Sequence, residues 1–128
     1  MPEFPRGWTI NAWSNSPVLC AAQVSPMAGV TRVLDSIYAK VVNYGNASGS
    51  LWFVETFIGA ASGPTLVLQN MLAVNPYVGG PPTEFTQDAL SLSGLDLASQ
   101  SGQGLSVQMN AANPASYWAE ITIQGHDI

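Results

Sequence analysis

Turn-forming residues punctuate this chain at short, even intervals, and what lies between them is strand-forming sequence. Runs rich in Val, Ile, Leu, Thr and aromatics occupy 18–25, 30–42, 51–58, 65–74, 83–95, 104–110 and 117–124. That is about the spacing of strands in a sandwich or barrel. The longest run alternates: Val33, Ile37, Ala39 and Val41 suit one face, with Arg32, Ser36 and Lys40 on the other. The segment from Asn43 to Gly49 is dense in residues that tolerate positive φ. Asn75-Pro76 ends another run, and Gly79-Gly80-Pro81-Pro82 makes a sharp break. Residues 25–34 and 86–92 could each hold a helical turn, but no stretch sustains a helical period with caps. Seven or eight strands, frequent turns and no crossover helices predict an all-β fold, an antiparallel β-sandwich of the jelly-roll kind.

The chain divides, on this reading, into an extended N-terminal arm (1–17) and a single β-sandwich domain (18–128). Pro2, Pro5 and Pro17 interrupt regular hydrogen bonding in the arm. Phe4, Trp8, Ile10 and Trp13 supply it with apolar anchors. Such side chains are costly to leave in water, so the arm is expected to dock, on its own domain or on a neighbour. Phe4, Arg6, Trp8, Ile10 and Trp13 are the expected partner-binding residues, with Trp8 or Trp13 as the hot spot.

There is little here to do chemistry with. The 128 residues include 3 Lys+Arg, 8 Asp+Glu, one His and one Cys. Catalysis gathers titratable or nucleophilic groups in one place, so no enzymatic activity is expected and no catalytic residue is assigned. The formal charge is −5, and Arg6, Arg32 and Lys40 form no patch, which speaks against nucleic-acid binding. Charged residues are 9% of the chain, against roughly 25% in an ordinary soluble domain. A deficit of that size suggests a surface that meets other protein. No apolar run approaches the roughly 20 residues of a membrane span. The N-terminus lacks the basic start and apolar stretch of a signal peptide, and synthesis in a reducing cytoplasm is expected.

Cys20 is alone, so it has no intrachain disulfide partner; between Leu19 and Ala21 it reads as a buried small hydrophobe. His126 beside Asp127 is too thin a ligand set for a metal, and no loop is dense enough in Asp and Asn for Ca²⁺. Neither a metal nor a cofactor is expected. Nothing places a second acid opposite Glu55, and Glu84 with Asp88 is a weak pair for glycoside hydrolysis. Trp52 and Trp118, within apolar strands, are expected to be packing residues. On a jelly roll, exposed rings can also form a flat platform for sugars.

Several short segments carry a resemblance. They are Asn15-Ser16-Pro17 after an early Trp, Ala21-Ala22-Gln23-Val24-Ser25, Ala28 to Leu34, Leu72-Ala73-Val74, Leu92-Ser93-Gly94-Leu95, and the ending Ala119 to Asp127. In these the chain resembles small single-domain β-proteins of tailed bacteriophages and prophages. It departs from them at Phe57-Ile58-Gly59, where an Arg-Asp-Gly-like turn is common, and at His126, where Tyr is common. The resemblance implies a jelly-roll virion protein of the capsid decoration, or cement, type. Its implied partners are the major capsid protein and further copies of itself, as a dimer or trimer, and its implied place is the capsid surface after synthesis in the host cytoplasm. The alternative is a carbohydrate- or receptor-binding β-sandwich module of a phage tail or head fibre.

Overall fold

Every described segment that is regular is a strand. The structure, a computed structural model, describes residues 6–15, 20–60, 62–77, 86–111 and 116–128. Nine strands follow one another: β1 (Arg6–Asn15), β2 (Cys20–Val24), β3 (Arg32–Asn43), β4 (Ser50–Gly59), β5 (Thr65–Val74), β6 (Thr86–Leu92), β7 (Leu97–Ala98), β8 (Gly104–Ala111) and β9 (Tyr117–Asp127). One sheet has the order β1-β9-β3-β6, with the two-residue β7 also pairing with β3; the other has the order β2-β8-β4-β5. All pairings are antiparallel. Setting β7 aside, the first strand pairs with the last, the second with the last but one, and β4 with its successor β5. A long hairpin folded over itself into two sheets has that order, which is the jelly roll.

Residue alternation explains which faces close on each other. Ile37, Ala39 and Val41 of β3, Trp52 and Val54 of β4, Val107 and Met109 of β8, and Ala119, Ile121 and Ile123 of β9 are buried in one cluster between the sheets. Trp52 meets Tyr117 edge to face, with ring centroids 5.6 Å apart, a favourable aromatic geometry. Cys20 is buried there too, its Sγ 3.5 Å from the Ala12 carbonyl oxygen and 3.7 Å from that of Ala119.

The alternation read along 30–42 needs one correction. The pairing of β3 with β9 slips between Leu34 and Ser36, leaving Asp35 as an extra residue. This bulge reverses the parity before it. Leu34 therefore joins the core cluster, while Val33 is buried outside it.

Two polar clusters fasten the ends of the sandwich. At one end Arg32 donates to the Ser25 carbonyl (3.2 and 2.9 Å) and pairs with Asp127, whose other oxygen accepts the Trp8 indole N–H at 3.0 Å. At the other end the fully buried Asn43 fills all its bonding positions. Its amide donates to Asn46 O (2.8 Å) and Asn75 O (3.0 Å), and its oxygen accepts from the backbone of Gly45 (3.2 Å) and Asn46 (2.8 Å). A buried amide so satisfied holds the β3–β4 turn against the end of β5.

Residues 6–15 are not a separate arm. They form β1, paired with β9 residue for residue from Arg6–Asp127 to Asn15–Trp118. The physical reason is a period of two: Trp8, Ile10 and Ala12 pack against the core cluster, while Thr9, Asn11 and Trp13 alternate with them. The boundary at residue 17 therefore does not separate arm from domain. Phe4, together with the rest of 1–5 and 16–19, lies outside the described residues.

Candidate binding surfaces

Among the described residues expected to make contact, Trp13 is the prominent surface ring. Trp8 lies half-buried against the core with its N–H bound to Asp127, and Ile10 also packs on the core. Both are thus engaged within their own domain. Arg6 is exposed at the start of β1. Trp13 is 60% exposed, and its ring lies 6.3 Å from that of Trp118, tilted by 35°. Trp118 is thus a surface residue rather than the packing residue expected. Inward positions on β9 are the odd-numbered ones from Tyr117 to Gly125, and Trp118 falls between them. Lys40 sits over the Trp118 ring at 5.2 Å from its centroid, and its ammonium lies 3.7 Å from Glu120.

Register orders the outer face of this first sheet into rows across β1, β9, β3 and β6. One row reads Trp13, Glu120, Lys40, Ala89; the next reads Asn11, Thr122, Tyr38, Ser91; beyond it, Thr9, Gln124 and Ser36 align. Asn11 donates its amide to Thr122 Oγ1 at 2.9 Å, and the Ser36 hydroxyl donates to Gln124 Oε1 at 3.3 Å. Beside Tyr38 lies a shallow cleft of about 480 Å³, lined by Ser36, Tyr38, Ser91, Ser93, Thr122 and Gln124 among others. Sequence reasoning missed this set. Its only signal is parity: each member sits out of phase with a core residue.

The outer face of the second sheet is different in kind. Leu51 pairs with Ala73, Phe53 with Met71, and Phe57 with Leu66. The Thr56–Phe57 slip leaves Val67 as a bulge residue. Leu51, Leu66, Val67 and Met71 are exposed, Met71 the most so at 66%. Between these apolar pairs Glu55 is held by Asn110 and by Gln69, the latter at 3.1 Å. Among the described residues β5 is an edge strand of its sheet. Its ten residues, Thr-Leu-Val-Leu-Gln-Asn-Met-Leu-Ala-Val, contain no charge and no proline.

Other residues weighed from sequence have structural partners. His126 Nδ1 lies 2.6 Å from Asp35 Oδ2, the bulged residue, rather than forming a set with Asp127. Asp88 accepts from the Asn75 backbone at 3.0 Å and from its amide at 3.2 Å; Glu84 lies outside the described residues. Among the described residues no three His, Cys, Asp or Glu side chains gather as a metal site. Burial pushes the Cys20 thiol pKa up from its ordinary value, which makes it a poor nucleophile. A second hollow, of about 260 Å³, opens between the ends of β2, β4 and β8, where Val24, Gly59 and Gly104 meet.

No protein-family model matches the sequence, and no curated protein matches it. Solved structures do share its shape. An aminopeptidase from the marine sediment archaeon Thaumarchaeota archaeon matches with a TM-score of 0.51 at 11% identity, over 86% of this chain. This chain spans only 26% of the length of that enzyme. The Eiger TNF of S. frugiperda matches with a TM-score of 0.41 at 12% identity, over 91% of this chain and 92% of its own. Desmodium yellow mottle tymovirus matches with a TM-score of 0.33 at 10% identity, over 98% and 90%. At these identities the similarity is one of fold alone, an all-β antiparallel sandwich.

Proposed function

We propose that this protein is a structural component of a tailed-phage virion, binding the outer capsid surface and cementing neighbouring major capsid subunits, with copies of itself as further partners. One observation carries the reading: β5 is a long, uncharged, apolar edge strand with exposed side chains on its outer face. Natural sheets protect such edges with charge, proline or short length, because an open ladder recruits another chain. An edge left in this state suits strand addition or face-to-face contact with a neighbouring subunit. The low charge of the whole chain fits the same role, since interface cores are depleted in Lys, Glu and Asp.

The contact is therefore moved from the N-terminal segment to the second sheet, with Leu66, Val67 and Met71 as its centre. The test adds purified protein to shells stripped of their decoration and counts the copies bound, beside a Val67→Lys, Met71→Lys double variant. Both positions are exposed, so the variant should fold. The wild type should saturate at a copy number comparable with that of the major capsid subunit. Losing an interface hot spot costs at least about 2 kcal/mol, or roughly 30-fold in affinity per site. Attachment by the variant equal to wild type, or saturation of the wild type at a handful of copies, would overturn the reading.

A further inference from the structure

The cleft beside Tyr38 has the chemistry of a sugar site, and we propose that it binds a neutral oligosaccharide running from Tyr38 toward Trp13. The rows of the first sheet supply three matching features. First, no charged side chain lines the cleft: hydroxyls of Ser36, Ser91, Ser93 and Thr122 and the Gln124 amide share it with Ile37, Tyr38 and Leu92. Among the described residues the charges beside it are paired, Lys40 with Glu120 and Asp35 with His126. Second, its polar groups are already oriented. Thr122 Oγ1 accepts from Asn11 and keeps its own O–H to donate; Gln124 Oε1 accepts from Ser36 and keeps its amide protons. Preorganised groups of this kind bind without a further ordering cost.

Third, Tyr38 stands apart from the Trp13–Trp118 ring pair. Tyr38 is 39% exposed and Trp13 60%. They stand two strands and one row apart, roughly 12 Å by sheet geometry, with Asn11 and Thr122 between them. A pyranose chain presents that pattern in return: apolar C–H faces for rings, separated by hydroxyls that need partners. A protein interface core would ask for a more apolar surface, of the kind that Leu51, Leu66, Val67 and Met71 give the other sheet. A cleft of about 480 Å³ also falls in the range of small-ligand sites.

The experiment presents the purified chain to an immobilised panel of neutral glucans, galactans and mannans, with uronic-acid and sulfated glycans alongside. Hits are then titrated in solution. Saturable binding to a neutral glycan is expected. Tyr38→Ala should weaken it about tenfold, the worth of one lost aromatic contact, and Thr122→Val about fivefold, the worth of one hydrogen bond. Tyr44→Ala, at a ring of matching exposure (41%) on the β3–β4 turn, should bind as wild type. No saturable binding to any panel member would overturn the proposal, as would binding confined to charged glycans or binding unchanged by Tyr38→Ala. So would a fall in solution mass for Tyr38→Ala without a glycan effect, because a second copy would then own the face. The shell contact is tested at Val67 and Met71 on the opposite sheet, so either reading can fail without the other.

Discussion

Cys20 shows how completely one position can be spoken for by packing. Its thiol is buried, and that burial raises its pKa above the ordinary 9.0. The consequence for stability has a definite sign. Below pH 9 the thiol is protonated in both folded and unfolded chains, and its contribution is full. As pH rises past 9.0, the unfolded thiol loses its proton before the buried one does, so stability falls. Urea midpoints at pH 8 and pH 10 should therefore differ more for the wild type than for Cys20→Ala. Iodoacetamide at pH 8 should label the folded chain slowly and the urea-unfolded chain fast. Gly125 makes a second residue-scale case, and one that sequence could not announce. A Cβ there would collide with the Val33 carbonyl oxygen and with the Trp8 ring. Gly125→Ala should cost about 1–3 kcal/mol, as overpacking does, read as a lower denaturant midpoint.

β1 is the element on which reading and structure part most clearly. Trp8, Ile10 and Ala12 alternate with Thr9, Asn11 and Trp13, a strand signal in plain view. The prolines at 2, 5 and 17 flank that stretch without entering it, so they mark its limits rather than forbid it. β5, by contrast, is legible to the residue, because Gly63-Pro64 and Asn75-Pro76 bracket an uncharged, mostly apolar run. The Asp35 bulge was not legible, since a register slip depends on the partner strand and leaves no local trace. The outer rows of β9, β3 and β6 stayed hidden for the same reason: alternation tells which residues leave the core, while pairing decides which of them meet. Deletion of residues 1–13 tests whether β1 is part of the fold. It removes most of β1, strips Trp8 from Asp127 and uncovers the edge of β9. The truncated chain should lose its cooperative unfolding transition by circular dichroism; a stable, cooperatively folded truncation would show that β1 is dispensable.

Taken whole, the molecule separates its two outer faces by chemistry. One sheet presents hydroxyls, amides and Tyr38 at a shallow cleft, with the Trp13–Trp118 pair on the same face; the other presents Leu51, Phe53, Phe57, Leu66 and Met71 beside an uncharged edge. Neither face is visible until the strands are placed in two sheets. The central claim is that β5 and its outer face are covered in the assembled particle. Amide hydrogen exchange read by mass spectrometry, on free protein and on protein bound to shells, measures this directly. The account predicts slowed exchange across Thr65–Val74 on binding, with the β2 edge at Cys20–Val24 little changed. Exchange in Thr65–Val74 as fast on the shell as in free solution would contradict it.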